Sequence, residues 1–295
     1  MDKFFVNGGC ATNKQLFTGV GKCDVLEGVS DYLIITRPNA EFAIPEDGDF
    51  TSALKTAINK PYNDEGKAWI VGKITTNNAP EGGDNISNTK GTRGGSVVTG
   101  QNPISIAYAF PGGVCMYNQL SRLKGMEVRV LRVDRSKNVF GTYDTDDNKL
   151  KGFSASLWIT ETPEADGGDV EMVTVNVSYG VDYFKELEQR SNLTLKEIPD
   201  ALRPVAIVAG ETTKTFAVKY TCSGEDVDAA TATLLADPKN FVGGTGDTIS
   251  AVTYDSATKL FTATGATKIK LATPDVLATA GVFGVEGFDE LVTLN

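Results

Sequence analysis

The chain contains no histidine. That absence removes Ser-His-Asp and Cys-His triads, most zinc sites and the usual acid/base group of neutral pH. Cysteine is scarce as well: Cys10, Cys23, Cys115 and Cys222 are scattered without a C-x-x-C pair. Neither a disulfide framework nor a zinc knuckle is indicated by that spacing, so free thiols are expected. No run of about 18 apolar residues occurs, which argues against a membrane-spanning helix and a membrane partner. The opening "MDKFFVNGGCATNK" lacks the apolar segment of a secretory signal, and the chain reads as cytoplasmically made. The sequons at Asn85, Asn176 and Asn192 carry little weight without secretion. Lysine and arginine, 28 together, are outnumbered by 38 aspartates and glutamates, for a net charge of −10. Such a balance repels nucleic-acid phosphates, whose capture depends on basic side chains. Repulsion is useful on a surface past which a polyanion must slide without sticking.

What is present is the composition of a folded protein, 41% hydrophobic and 22% charged over 295 residues. That length predicts two domains of about 100 to 200 residues each. Apolar and β-branched runs recur as "DYLIITR" (31–37), "AWIVGKIT" (68–75), "PISIAYAF" (103–110), "MEVRVLRV" (126–133), "NVFGTY" (138–143), "GFSASLWIT" (152–160) and "EMVTVNVSY" (171–179). Most alternate with period two, and the short Asp-, Asn- and Gly-rich connectors after Met126 predict an antiparallel meander. Helices are predicted over 49–60, with Phe50, Leu54 and Ile58 behind an Asp49 or Thr51 cap, and over 182–190. Residues 76–102 are rich in Gly and Asn and poor in large apolar residues, so a long loop is expected there.

A boundary is placed near residue 200, where "RSNLTLKEIPDALRPV" interrupts the pattern. From Arg203 onward "VAIVAG", "KTFAVKYTC", "ATATLLA", "ISAVTYD", "KLFTATG" and "TKIKLAT" predict a small β-sandwich. The division is therefore residues 1–200 and residues 201–295. The second part resembles bacterial and viral immunoglobulin-like domains, chiefly through "ISAVTYDSATKLFTATG" (249–265). Its single cysteine, Cys222, and lack of tryptophan exclude the antibody-type disulfide packed on tryptophan.

Few residues offer chemistry. Asp144, Asp146 and Asn148 match the first ligand positions of a calcium loop, but Lys149 replaces the turn glycine and Ala155 the bidentate glutamate. A polar hairpin turn is the better reading, as it is for "DRSKN" (134–138). Glu161 and Glu164 could pair as glycosidase carboxylates, with Trp69 and Trp158 stacking on sugar; a solvated acidic turn and core or interface tryptophans are preferred. "GVGKC" (19–23) and "VGKIT" (71–75) lack the glycine that a phosphate loop needs. "KGTRGGSVVTG" (90–100), with Lys90 and Arg93, has no dinucleotide spacing and reads as a flexible loop. No catalytic, cofactor or metal residue is assigned, and no enzyme activity is expected.

The segment "AYAFPGGVCMYNQLSRLKGMEVRVLRVDRSKNVFGTYDTDDNKLKGFSASLWIT" (107–160) resembles phage virion structural proteins of the tail-tube (major tail protein) kind. It carries a strand ending in Phe110, a short "YNQL" segment, a hairpin from Asp134 to Phe140 and Gly141, then Lys151, Gly152 and Phe153. The resemblance implies a mainly β fold: an antiparallel β-sandwich or half-barrel with one packed helix (49–60) and long loops, followed by the small immunoglobulin-like sandwich. It implies a homo-oligomer of stacked rings in the virion, in contact with other virion proteins, with loop 76–102 reaching a neighbour. DNA would pass through an acidic bore without specific binding, and the C-terminal domain would face outward. Head-decoration, connector or receptor-binding head-fibre proteins are the alternative, with a host-surface glycan as the ligand of the C-terminal module.

Overall fold

The computed structural model describes residues 28–89, 95–144, 149–161, 170–188 and 190–295. They are mainly β, in several antiparallel sheets with no closed barrel. Two compact units divide them: the first comprises the described residues up to Lys55 together with Glu65–Pro199, the second Thr56–Asp64 and Asp200–Asn295.

The first unit contains β1 (Ser30–Thr36), β2 (Phe42–Ala43), β3 (Ala68–Gly72), β4 (Thr76–Asn77), β5 (Glu81–Thr89), β6 (Gly95–Pro111), β7 (Glu127–Asp134), β8 (Asn138–Asp144), β9 (Lys149–Lys151), β10 (Phe153–Glu161), β11 (Met172–Tyr179) and β12 (Arg190–Thr194). Helix α1 spans Thr51–Ile58 and begins in this unit; α2 (Val114–Leu120) and α3 (Tyr183–Glu188) complete it. Hydrogen-bonded neighbours run β3-β1-β7-β10-β11-β6, all antiparallel. The expected meander is thus interrupted. β8 pairs only with the end of β7, through Arg132↔Phe140 and Val133↔Val139, and turns away with β9, β2 and β12 as a second layer. β10 then returns to β7 rather than to β9. Sequence adjacency favours the simpler path, and only the pairing of distant apolar faces decides otherwise.

Strand β11 shows the logic most plainly. Val173, Val175, Val177 and Tyr179 are buried, while the residues between them are half-exposed. Its neighbours match it in register: Val175 lies opposite Ile159 on β10 and Tyr108 on β6. One face of three strands therefore joins a core with Val128, Val130, Leu33 and Ile35, capped by Leu120 of α2. β1 is buried on both sides, since Leu33, Ile34 and Ile35 are all inaccessible, as expected of a central strand covered on each face. On the second side Gly141 leaves room for the layer above it: a Cβ there would stand 2.7 Å from Leu131 Cδ2 and 2.4 Å from the Lys151 carbonyl.

Where α3 meets the sheet, the buried Arg132 guanidinium donates to the Tyr183 hydroxyl at 2.7 Å and lies 4.7 Å from the Phe153 ring centroid. Tyr179 stacks on Tyr183 with centroids 4.2 Å apart. Burial pushes the Tyr179 phenol well above its ordinary pKa, so it stays neutral here.

In the second unit, β13 (Arg203–Ala209), β14 (Thr215–Tyr220), β16 (Ala251–Asp255), β17 (Leu260–Thr264) and β19 (Val285–Gly287) form one sheet in the order β16-β17-β14-β13-β19. β15 (Phe241–Gly243), β18 (Lys268–Leu271) and β20 (Val292–Thr293) form the other. The sheets meet through Phe216, which stacks on Phe261 at 5.2 Å and meets Phe241 edge-on at 5.3 Å. The run "ATATLLA", expected as a strand, is instead helix α4 (Ala229–Leu235). Asp228 caps it by accepting from the Thr231 amide at 2.9 Å, and alanine favours the helix once that cap is set. A second short helix, α5 (Pro274–Thr279), starts on a proline whose missing N–H costs nothing there. Cys115 in α2 and Cys222 are both disulfide-bonded, which overturns the expectation of free thiols. Spacing cannot reveal pairing between cysteines that are far apart in sequence.

Replacing Tyr183 by Phe removes the hydroxyl that accepts from a buried guanidinium, and urea unfolding is expected to show a loss of about 1 to 3 kcal/mol. Acid is expected to destabilise the protein through its turn and cap carboxylates. Lys196 and the Thr51 hydroxyl and amide hold the Asp49 carboxyl far below its ordinary range. Asp228, Asp247 and Asp255 are lowered by backbone N–H donors. A lowered folded-state pKa stabilises above the unfolded value and is lost as pH falls through the folded one. The thermal midpoint should hold down to about pH 5 and drop steadily below about pH 4, and Asp49→Asn should flatten that drop in a calorimetric pH series.

Candidate assembly surface

β6 is 17 residues long, about 55 Å at roughly 3.3 Å per residue. Only its C-terminal part belongs to the sheet, pairing with β11 from Ser105↔Ser178 to Pro111↔Met172. Its N-terminal part pairs with β5 alone, from Gly83↔Asn102 to Thr89↔Gly95, and among the described residues β5 has no second neighbour. The two strands form a ribbon that runs past the end of β11. This corrects the expected loop over 76–102, which the structure resolves into β4, β5 and the start of β6. The sequence there is rich in Gly, Asn, Ser and Thr and keeps no sustained period of two, so no alternation announced it.

At the ribbon's root the register shifts between Glu81 and Gly83. Gly82 adopts φ +112°, and a Cβ there would stand 2.2 Å from the Pro103 carbonyl oxygen. Pro103 removes one ladder donor at the same point. A glycine bulge opposite a proline bends and re-aims a strand.

The face of β6, β10 and β11 turned away from the core continues from this root. Ser156, Trp158 and Thr160 of β10 lie opposite Ser178, Asn176 and Thr174 of β11. These in turn lie opposite Ser105, Ala107 and Ala109 of β6. Across that register no position holds Asp, Glu, Lys or Arg. Trp158 stands at its middle with 54% of its surface exposed. The Asn176 amide donates to the Trp158 carbonyl at 3.3 Å, and the Lys124 ammonium sits 5.6 Å from the indole centroid. Charge reaches the face from its neighbours: besides Lys124, the exposed Glu127 of β7 lies opposite Ser156, and the Arg129 guanidinium and the Ser154 hydroxyl both donate to Glu186, at 3.3 and 2.7 Å.

The residues weighed for chemistry fall elsewhere. Asp146, Asn148, Glu164, Lys90, Arg93 and "GVGKC" lie outside the described residues, as do the side chains of Asp144 and Glu161. The hairpin around the calcium-like motif closes through Asp144↔Lys149, and Ala155 points into the core. Lys149 and Lys151 both donate to Glu41, whose pKa they lower. Asp134 takes the amides of Ser136 and Asn138, each at 2.8 Å, and so holds the "DRSKN" turn. Trp69 is partly buried against the core, with Arg37 over its ring. In "VGKIT", Lys73 pairs with Asp31 at 3.7 Å, at the end of a strand with no helix behind it. Among the described residues, no group of three or more Cys, Asp or Glu could hold a metal ion.

Neither a family model nor a curated protein matches this sequence.

Gly82→Val forces a side chain against Pro103 and an unfavourable backbone angle. Limited proteolysis should then cut faster between residues 81 and 105, with the thermal midpoint of the first unit unchanged within about 2 °C.

Proposed function

We propose that this chain is a non-enzymatic virion structural protein of the phage tail-tube kind, which self-assembles into stacked rings around an acidic DNA conduit. The observation that carries this reading is the β5–β6 ribbon. A two-stranded hairpin without further packing is marginal in water, and a long open edge invites pairing with other chains. A chain that keeps such a ribbon beyond its own sheet has a use for it in another molecule. Head-to-tail contacts of that type close into rings where the rotation permits, and rings stack. The net charge of −10 supports a conduit that does not retain DNA. The disulfides at Cys115 and Cys222 suit a particle that persists outside a reducing cytosol. Residues 201–295 serve as an appended decoration domain.

Negative-stain microscopy of the purified full chain across a concentration series is expected to show rings or tubes of constant diameter. A variant in which residues 84–102 are replaced by a short Gly-Ser turn should stay monomeric while keeping its thermal midpoint. Discrete monomers of the unaltered chain at millimolar concentration would overturn the reading.

A further inference from the structure

The geometry points to the outer face of β6, β10 and β11 as a binding site for a neutral saccharide chain, with the Trp158 indole as the platform on which a sugar ring stacks. The site stands apart from the assembly reading, which is carried by the ribbon.

Of the two tryptophans, Trp69 is packed against the core. Trp158 keeps 54% of its surface exposed in the middle of a paired strand, with the Lys124 ammonium beside the ring at 5.6 Å. The hydroxyls around it are open as well. Ser156 of β10, Thr174 and Ser178 of β11 and Ser105 of β6 are half-exposed, and among the described residues none of these four hydroxyls is hydrogen-bonded to another protein group. Where the face ends, by contrast, the Ser154 hydroxyl is committed to Glu186 at 2.7 Å. The Asn176 amide nitrogen donates at 3.3 Å to the Trp158 carbonyl and at 3.4 Å to the Thr160 hydroxyl, which turns its Oδ1 outward as an acceptor beside the indole.

A pyranose has an apolar side of C–H groups and a rim of hydroxyls. The apolar side lies flat on an aromatic ring, and the rim both donates and accepts, as serine, threonine and asparagine side chains do. Paired strands lie about 4.8 Å apart and side chains on one face recur about every 6.8 Å. An amide and several hydroxyls therefore stand within the span of one or two sugar rings centred on the indole. An open sheet face covers little of a single sugar, so a chain of several rings is the fitting ligand.

Other occupants match the surface less well. Protein interfaces are depleted of serine and alanine and gather several aromatic residues, whereas this face sets one aromatic among serines, threonines and alanines. A nucleic acid needs a basic track. Here Lys124 is offset by the exposed Glu127 opposite Ser156, in a chain of net charge −10. A membrane surface needs a broad apolar face, which one indole does not supply. One cation and one anion at the border leave the site without net charge, as an uncharged ligand requires.

Fluorescence titration of the full chain carrying Trp69→Phe, so that Trp158 is the sole tryptophan, tests the site. The probes are neutral hexasaccharides of β-1,4-linked glucose, β-1,4-linked N-acetylglucosamine and α-1,6-linked glucose. At least one should shift Trp158 emission and saturate below about 10 mM, with the same affinity by calorimetry on the unaltered chain. Trp158→Ala should weaken that affinity roughly tenfold or more, and Thr174→Val and Ser178→Ala about three- to tenfold each, with unchanged thermal midpoints. No shift with any of the three sugars at that concentration would overturn the inference, as would binding that survives Trp158→Ala. A Trp158 that loses its access to acrylamide when the chain assembles, and binds no sugar, would give the face to a neighbouring copy and leave the assembly reading intact. Sugar binding by a chain that never forms rings would sink the assembly reading and leave this inference standing.

Discussion

A β-strand presents its side chains alternately to two sides, and in β6, β10 and β11 that alternation is kept without a slip over the whole paired length. The core and the outer face of the first unit both follow from it. Moving β11 by one residue would place Thr174, Asn176 and Ser178 among Phe110, Leu157 and Val130 and send four apolar side chains into water. Each of those apolar residues is worth about 1.5 to 3 kcal/mol of burial. The register is therefore held by the core, and the outer face is free to take whatever composition its use requires. Its composition departs from that of an ordinary solvated surface.

The same division of labour explains how the acidic residues are used. Asp49, Asp134, Asp228 and Asp255 each accept from backbone amides of their own turn or cap, and Asp247 accepts from the amides of the sequence-distant Thr267 and Lys268. Asp31 lies between Lys73 and Arg135, and Glu41 between Lys149 and Lys151. These carboxylates fix local geometry, and the lowered pKa values of Glu41, Asp49, Asp228, Asp247 and Asp255 reflect that task. A perturbed pKa in a cleft points to catalysis; a perturbed pKa in a hairpin turn points to the turn.

Much of the first unit was legible in the sequence because its core strands are amphipathic with a strict period. "EMVTVNVSY" and "GFSASLWIT" could be read as alternating strands, and Phe50 and Leu54 marked the buried side of α1. Illegibility had three physical sources. The ribbon is rich in Gly, Asn, Ser and Thr, so its strand character lies in backbone pairing that composition does not reveal. Helix α4 is a run of Ala, Thr and Leu that suits a short strand as well as a helix, and the Asp228 cap decided it. The return of β10 to β7 is a long-range choice, set by packing Phe153 against Val130 and Arg132. The candidate surface was half legible. Trp158 could be placed on a strand and read as core or interface, but the row of small polar residues around it exists only once Ser105, Thr174 and Ser156 are brought into register.

On the proposed reading, an assembly element set in a peripheral ribbon rather than in the core has a thermodynamic consequence. A segment that packs only on another copy adds little to the stability of the isolated chain, so it can be lengthened, re-aimed or changed without unfolding the unit that carries it. The bulge at Gly82 and the proline opposite it are consistent with such a device: they set the ribbon's direction locally, at a point where the sheet's own ladder has already begun at Ser105. Control of the ribbon's direction therefore sits in two residues. The apolar core of the first unit, from Leu33 to Tyr179, holds the outer face of β6, β10 and β11 in register without help from the ribbon.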